Sequence, residues 1–300
     1  MRGDGGATRR RIGLRLLWVL VVAAWVSGCS FVRVGYELAP WYSVRQLDAA
    51  WQLDSTQSAF ARERVDELWR WHRRSELPEI ARWLRSVNAR IDGGVDIEEV
   101  SGWRKTGLLH WDRTVQQLSP GLARLISSLR PEQIEAMNKR MVAENEDYRR
   151  EFLPDDLSER QARRVKRAEE RLVSFVGDLT QSQRELVLRK AAAMPRNEEI
   201  WFAERLARQR DLADLVRRVS SAGSPPVDAQ LERANQQVLD FLLPLWEPRE
   251  PQRRQALAGV LRASDDMTAA VLSIASPDQK ARLAARLLGW ANDIEALSRK

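Results

Sequence analysis

Apolar residues return every three or four positions through most of the chain, and no stretch longer than a few residues alternates with period two. In the segment 158–179 one such stripe consists of Val165, Ala168, Leu172, Phe175, Val176 and Leu179. This spacing is that of one face of an α-helix, whereas a half-buried strand would alternate. The sequence therefore predicts an all-α fold, a multi-helix bundle of about eight to ten helices that follows a cleaved N-terminal signal.

Prolines and small residues predict where these helices end. Pro78 predicts a kink or break at 74–77 in the first clearly helical segment, 54–91, and Pro120 predicts a separate short helix after one over 97–118. Within a helical domain over 43–300, two lobes would meet either near 154–157 or near 220–226.

A five-residue pattern recurs that ends with glutamine in every copy and begins with leucine in four of the five. The copies lie at 53–57, 129–133, 157–161, 179–183 and 275–279. In four copies an Asp, Ser or Thr would accept a hydrogen bond from the first helical turn, and the glutamine three residues later would reach back. These four capping residues are Asp54, Ser158, Thr180 and Ser276, whereas Arg130 stands at this position in the remaining copy. The irregular spacing excludes a fixed-period solenoid.

The first 28 residues have the pattern of an export signal. An arginine-rich start precedes the apolar run Leu16–Val26, and Ser27, Gly28 and Cys29 follow directly. As a helix, this run would be about 16 Å long, well short of the ~30 Å hydrocarbon core of a bilayer. A cleaved signal peptide over 1–28 is therefore favoured over a membrane-spanning helix.

The sequence Val26-Ser27-Gly28-Cys29 resembles the lipobox of bacterial lipoproteins. The resemblance implies cleavage between Gly28 and Cys29, a diacylglycerol on the Cys29 thiol and an acylated new amine, with 29–42 as a lipidated tether. Because Ser30 stands where an inner-membrane retention signal would show Asp, it also implies the outer membrane, on its periplasmic face. The alternative is a chance cysteine beside an uncleaved anchor.

Composition excludes several other classes. Cys29 is the only cysteine, so an intramolecular disulfide is impossible. The net charge of the chain is +7, but the segment 1–28 contributes five arginines and one aspartate, which leaves +3 for the mature chain. Binding to nucleic acid is therefore not expected. The partners that we expect are the membrane, through Cys29, and envelope proteins.

One aromatic and basic cluster is the candidate interaction patch, and it consists of Trp69, Trp71, His72, Arg73 and Arg74. Aromatic and arginine side chains are frequent in the energetic centres of protein interfaces. The alternative is packing, with Trp69 in the core and the arginines paired with acidic helix faces such as 144–151. Likewise Phe31, Tyr36, Trp41 and Tyr42 would lie at a membrane interface or pack under the first helices.

We find no catalytic set. Thiol catalysis has no cysteine in the mature domain beyond Cys29, and His72 and His110 are the only histidines. The HEXXH, GxSxG and Walker-type motifs are absent. We therefore predict no metal, no cofactor and no enzyme activity.

Longer motifs resemble a known but uncharacterised family. WHRRSELP at 71–78, LRPEQIEAM at 129–137 and NEDYRREF at 145–152 are similar to lipoproteins of Gram-negative bacteria that carry a domain-of-unknown-function label. LTQSQ at 179–183 resembles the LTxxQ motif of Spy- and CpxP-type periplasmic proteins. The expected function is a lipid-anchored envelope lipoprotein with a helical binding or scaffold domain. The alternatives are a chaperone-like envelope-stress protein, as the LTxxQ resemblance implies, and an envelope hydrolase that uses carboxylates.

Overall fold

The computed structural model describes residues 28–220, 228–248 and 250–300, and these residues form ten α-helices, one short 3-10 helix and no strand. The helices are α1 Gly28–Trp51, α2 Ser55–Arg90, α3 Ile97–Ser127, α4 Pro131–Phe152, α5 Leu157–Val176, α6 Gln181–Ala193, α7 Asn197–Val219, α8 Asp228–Leu242, α9 Pro251–Ser273 and α10 Pro277–Ser298; the 3-10 helix Leu243–Trp246 follows α8. The predicted all-α bundle is confirmed. The predicted signal peptide, except Gly28, and most of the segment 220–226 lie outside the described residues.

Two prolines that were expected to interrupt helices lie inside them. Pro78 is inside α2 and Pro120 is inside α3, so the predicted break at 74–77 and the predicted helix start at 120 are wrong. An internal proline costs about 3 kcal/mol or more because it removes one hydrogen bond and crowds the preceding turn. Buried side chains flank both positions, among them Leu77 and Ala81 in α2 and Ser119 and Ala123 in α3, and this packing holds each helix together.

The predicted helix starts are confirmed at three positions. The side chains of Asp54, Thr180 and Ser276 accept hydrogen bonds from the backbone N–H of the glutamine three residues later, and each glutamine accepts one in return. The prediction for Ser158 is wrong, because the capping residue of α5 is Asp156, two residues earlier, and the helix begins at Leu157. Gln161 is consequently displaced from the capping position and is exposed.

Buried side chains form two hydrophobic clusters. The α1 cluster contains Trp51, Ala61, Ala123, Leu125, Ile126, Leu129, Met137, Ala213, Leu215, Val216, Val219, Ala234 and Val238. The α10 cluster contains Ala81, Leu84, Val87, Ile91, Val95, Val100, Leu172, Val176, Leu179, Val187, Met267, Ala269, Val271, Leu272, Leu283, Leu287 and Ala291. Each cluster draws residues from both sides of 154–157 and of 220–226, and α2 and α3 contribute residues to both clusters. Neither 154–157 nor 220–226 is therefore a boundary that separates the residues of one cluster from those of the other.

Four of the five repeated glutamines meet in two buried pairs. Gln57 and Gln133 exchange side-chain hydrogen bonds of 3.2 and 2.8 Å, and Gln183 and Gln279 exchange bonds of 2.8 and 2.9 Å. Each amide therefore closes its own helix start and also joins it to a second helix start. The first pair lies beside the α1 cluster and the second beside the α10 cluster.

Candidate functional site

Helix α1 replaces the expected tether and is docked on the body of the protein through Tyr36. The Tyr36 hydroxyl lies 3.0 Å from Nδ1 of His72, and its ring centroid lies 6.2 Å from that of Trp69. The guanidinium of Arg73 lies 5.5 Å from the centroid of the same ring. Three of the five residues in the candidate interaction patch thus hold α1 rather than face solvent.

Ion pairs fix the same part of α1. Glu37 accepts hydrogen bonds from Arg73 of α2 at 2.7 Å and from Lys300 at 2.9 Å, and these two bonds hold the pKa of Glu37 below its usual value. Arg33 pairs with the buried carboxylate of Asp293 in α10 at 2.6 Å. The contacts join the N-terminal half of α1 to α2 and α10, so α1 and the body form one unit.

Burial shapes the ionisation of the two aromatic groups at this contact. It raises the pKa of Tyr36 to about 12, although Arg73 opposes this change. It lowers the pKa of His72, against the opposing charge of Glu76. The neutral forms of both side chains are therefore the ones that fit this contact at neutral pH.

A second polar cluster lies one turn further along α2. Glu76 is only 2 % exposed and accepts two hydrogen bonds from Arg113 at 2.7 and 3.1 Å, while Nδ1 of His110 lies 2.9 Å from it. Burial alone would raise the pKa of Glu76, but the Arg113 and His110 hydrogen bonds outweigh burial and the pKa is lowered. We did not predict this cluster. Its only sequence signal is the i, i+3 spacing of His110 and Arg113, which does not point to Glu76.

Trp71 also belongs to the candidate interaction patch, and its side chain lines an apolar groove where α1, α2 and α3 meet. The groove has a volume of about 320 Å³, and its lining includes Leu47, Phe60, Leu68, Trp71, Gln117, Leu118 and Leu122. Arg64 and Glu67 supply charge within the lining. This volume is at the lower end of those that hold small ligands, about 300 Å³ upward. The last patch residue, Arg74, lies exposed on α2.

A charged cleft of about 410 Å³ lies between α7, α8 and the start of α9. It is lined by five carboxylates, Glu204, Asp211, Asp214, Asp240 and Glu250, together with Arg208, Arg218 and Arg253. Both carboxylate oxygens of the buried Glu204 are engaged, one by Arg208 at 2.9 Å and the other by Arg253 at 2.8 Å. Among the described residues, no group of three or more His, Cys, Asp or Glu side chains is arranged to hold a metal ion.

The predicted lipidation site lies in α1, at the N-terminal limit of the described residues. Gly28 and Cys29 are the first two residues that the structure describes, and both are helical. The side chains of residues 28–31 lie outside the described part. None of the helices in the described ranges is long and apolar enough to span a bilayer.

Comparison with known proteins identifies a family and no further relatives. No curated protein and no solved structure matches the chain. A family model described as a family of unknown function, DUF6279, matches residues 50–240. The match includes Gln57, Gln133 and Gln183 but ends before Gln279, and it begins at the end of α1. Because the match covers more than half of the chain, the protein belongs to this family of unknown function, as the resemblance of the longer motifs implied.

Proposed function

We propose that this protein is a lipid-anchored lipoprotein of the cell envelope whose helical periplasmic domain binds an envelope protein. The anchor is the acylated Cys29, and the domain lies on the periplasmic face of the outer membrane. The binding surface is the groove around Trp71. The lipobox-like sequence Val26-Ser27-Gly28-Cys29 supports the anchor.

The observation that carries the proposal is the position of the groove relative to the anchor. Leu47 of α1 lines the groove, and Cys29, the proposed anchor, lies in the same helix. Since Tyr36 and Arg33 fix α1 to the body, an anchor at Cys29 holds the groove at a set distance from the membrane. The 18 residues from Cys29 to Leu47 rise about 27 Å along a helix, which bounds that distance.

The groove is suited to an apolar segment of a partner protein. Its apolar walls come from three helices and its lining carries both Arg64 and Glu67, which resembles the apolar centre and polar rim of protein interfaces. A short run of apolar side chains from a partner would fill the groove and leave its flanking charged residues near these two side chains. We propose such a segment as the ligand.

Site-specific photo-crosslinking in living cells tests this proposal. A photo-reactive residue replaces Gln117, which is exposed and lines the groove, and the matched control replaces Leu188, which is exposed on α6. The proposal predicts a discrete crosslinked product from position 117 and none from position 188. A Cys29→Ser version is expected to leave the membrane fraction and to lose the product.

The same experiment separates the alternatives. Equal products from positions 117 and 188 would contradict binding in the groove. Many different envelope proteins at position 117, increasing under folding stress, would favour the chaperone-like alternative, although Gln183 of the LTQSQ copy is already engaged in capping and in the pair with Gln279. The hydrolase alternative would use the charged cleft, but arginines occupy both oxygens of Glu204 there, and we therefore favour binding.

A further inference from the structure

Helix α1 leaves an apolar stripe uncovered on the side that faces away from the body. Val34, Leu38, Trp41 and Tyr42 are 52, 56, 61 and 55 % exposed. Their spacing of four, three and one residues places them on one face of the helix. Arg45 extends the same face by one turn, and its guanidinium lies 5.5 Å from the centroid of the Trp41 ring.

The opposite face of α1 is the one that the body covers. Arg33, Tyr36 and Glu37 make the contacts with α2 and α10, and Val44 and Trp51 are buried. Because these contacts fix the rotation of α1 about its axis, the stripe is held in a set direction, outward from the body. The stripe therefore has a fixed orientation relative to the body, which it would not have on a helix that was free to rotate.

We propose that this stripe docks on a phospholipid surface, so that α1 lies along the membrane beside its own anchor. The inference rests on the proposed anchoring and deepens it. The short distance between the stripe and the proposed anchor supports this inference, since the stripe begins five residues after Cys29, or about 8 Å along a helix. An uncleaved apolar leader would bring the same stripe to the membrane, so both interpretations of the leader place α1 there.

The composition of the stripe fits the interface of a bilayer. Tryptophan and tyrosine favour the headgroup level, where an apolar ring and a polar edge are both satisfied. The aliphatic Val34 and Leu38 would enter the acyl boundary, about 5–10 Å deep, and the Arg45 guanidinium would meet anionic headgroups. A protein partner would satisfy the apolar residues as well, but the adjacent anchor supplies lipid at high local concentration.

Cysteine labelling tests the proposal in the full membrane-anchored protein. Acylation consumes the Cys29 thiol, so Val34→Cys or Leu38→Cys provides the only reactive thiol for an environment-sensitive fluorophore. Leu188→Cys is the matched control, since Leu188 is 49 % exposed on α6. The labelled proteins are reconstituted in vesicles of phosphatidylethanolamine and phosphatidylglycerol, with and without shallow nitroxide-labelled lipids.

The expected result is a blue shift and quenching by the nitroxide lipids at positions 34 and 38, with neither at position 188. A further Trp41→Asp substitution is expected to abolish the quenching at position 34 while circular dichroism stays unchanged. Labels at 34 and 38 that behave like the label at 188 would overturn the proposal. So would a blue shift without quenching, which would mean that a second copy or another protein covers the stripe.

The unmodified protein separates this inference from the proposed anchor. If the wild-type chain, with Cys29 as its only cysteine, takes up the fluorophore, Cys29 is not acylated and the anchoring proposal fails. Quenching at 34 and 38, measured above that background, would still support docking of the stripe. If the wild type is not labelled but positions 34 and 38 remain in water, the anchor stands and the docking proposal fails.

Discussion

The two glutamine pairs make the same capping hydrogen bonds, but they donate further hydrogen bonds to different parts of the protein. In both, the side-chain oxygen of each glutamine accepts the N–H of its own capping residue and a hydrogen bond from its partner. Beyond this, Gln279 donates to the carbonyl of Asp178, just before α6. Gln133 instead donates to the carbonyls of Trp51 and Gln52, at the end of α1.

The same capping arrangement therefore has a different structural role at each of its two positions. The pair Gln183–Gln279 joins two helix starts within the body, across 96 residues of sequence. The pair Gln57–Gln133 joins two helix starts and also holds the C-terminal end of α1. The first pair therefore contacts the helix that carries the proposed anchor, whereas the second pair makes its hydrogen bonds within the body alone.

Loss of Gln133 is expected to have the largest effect. Gln133→Ala leaves the carbonyls of Trp51 and Gln52 without their side-chain donor and removes a hydrogen bond to the Gln57 side-chain oxygen, at about 3 kcal/mol of unfolding free energy. Gln279→Ala leaves fewer backbone carbonyls without a donor and should cost about 2 kcal/mol. Denaturant unfolding of purified variants measures both. Gln161→Ala is the matched control, because this exposed glutamine of the fifth copy should change stability by less than about 0.5 kcal/mol.

Equal losses for Gln133→Ala and Gln279→Ala would contradict the special role given to the first pair. A further readout sharpens the comparison, since only Gln133→Ala should expose the junction between α1 and α2. Limited proteolysis near Gln52 is therefore expected to increase in this variant and to stay unchanged in Gln279→Ala.

A double-mutant cycle tests whether each pair acts as a unit. Gln57→Ala combined with Gln133→Ala should show a coupling energy of about 1–2 kcal/mol, and so should Gln183→Ala combined with Gln279→Ala, since residues in one hydrogen-bond network are not additive. Combinations across the pairs, such as Gln57→Ala with Gln183→Ala, should add within about 0.5 kcal/mol. Coupling across the pairs as large as within them would mean that the two clusters do not respond independently.

The end of α1 offers a stabilising change. Gln52 is exposed and has φ of 50°, in the left-handed region that costs a side chain about 1 kcal/mol or more. Gln52→Gly should relieve this strain and raise the unfolding free energy by about 0.5 kcal/mol, after the greater entropy of the unfolded chain is deducted. Gln46→Gly, in the interior of α1, is the control and should lower stability by about 1 kcal/mol. A loss of stability on Gln52→Gly would show that the side chain of Gln52 contributes more to the unfolding free energy than its left-handed backbone conformation costs.

The smallest effect expected is on pH dependence, at the contact between α1 and α2. Burial lowers the pKa of His72, so the unfolded chain binds a proton more readily than the folded chain as pH falls. Stability from this contact is therefore complete above the unfolded pKa of about 6.5 and declines as pH falls below it. Tyr36, Arg73, Glu76 and His110 surround the group.

Unfolding free energies at pH 7.5 and 5.5 measure this contribution. His72→Gln should reduce the fall in stability between the two values. An undiminished fall in the variant would assign the pH dependence to other groups.

Much of the fold was predictable because it is local. Helix starts at Asp54, Thr180 and Ser276 follow from residues three apart, and periodicity marks long helices. The pairing of the glutamines was not predictable, since 76 or 96 residues separate the partners and each motif looks complete by itself. The predictions from Pro78 and Pro120 were wrong because packing against distant segments, which no local pattern shows, stabilises the helices across these prolines.

The candidate site was predictable only in part. The aromatic and basic character of 69–74 pointed to an interface, but no local pattern showed that α1 would occupy much of it. No helix was predicted before residue 54, so Tyr36 was not recognised as the residue that meets Trp69, His72 and Arg73. The polar cluster around Glu76 likewise depends on contacts across 34 and 37 residues.

Acylation of Cys29 would attach α1, and with it the whole domain, to the membrane. The intact mass of the protein extracted from the membranes of its native host measures this modification. We expect a chain that starts at Cys29, with residues 1–28 removed and the mass of a diacylglycerol and an amide-linked acyl chain added. A mass equal to that of the unmodified chain from Met1 to Lys300 would contradict it and would make the leader an uncleaved anchor.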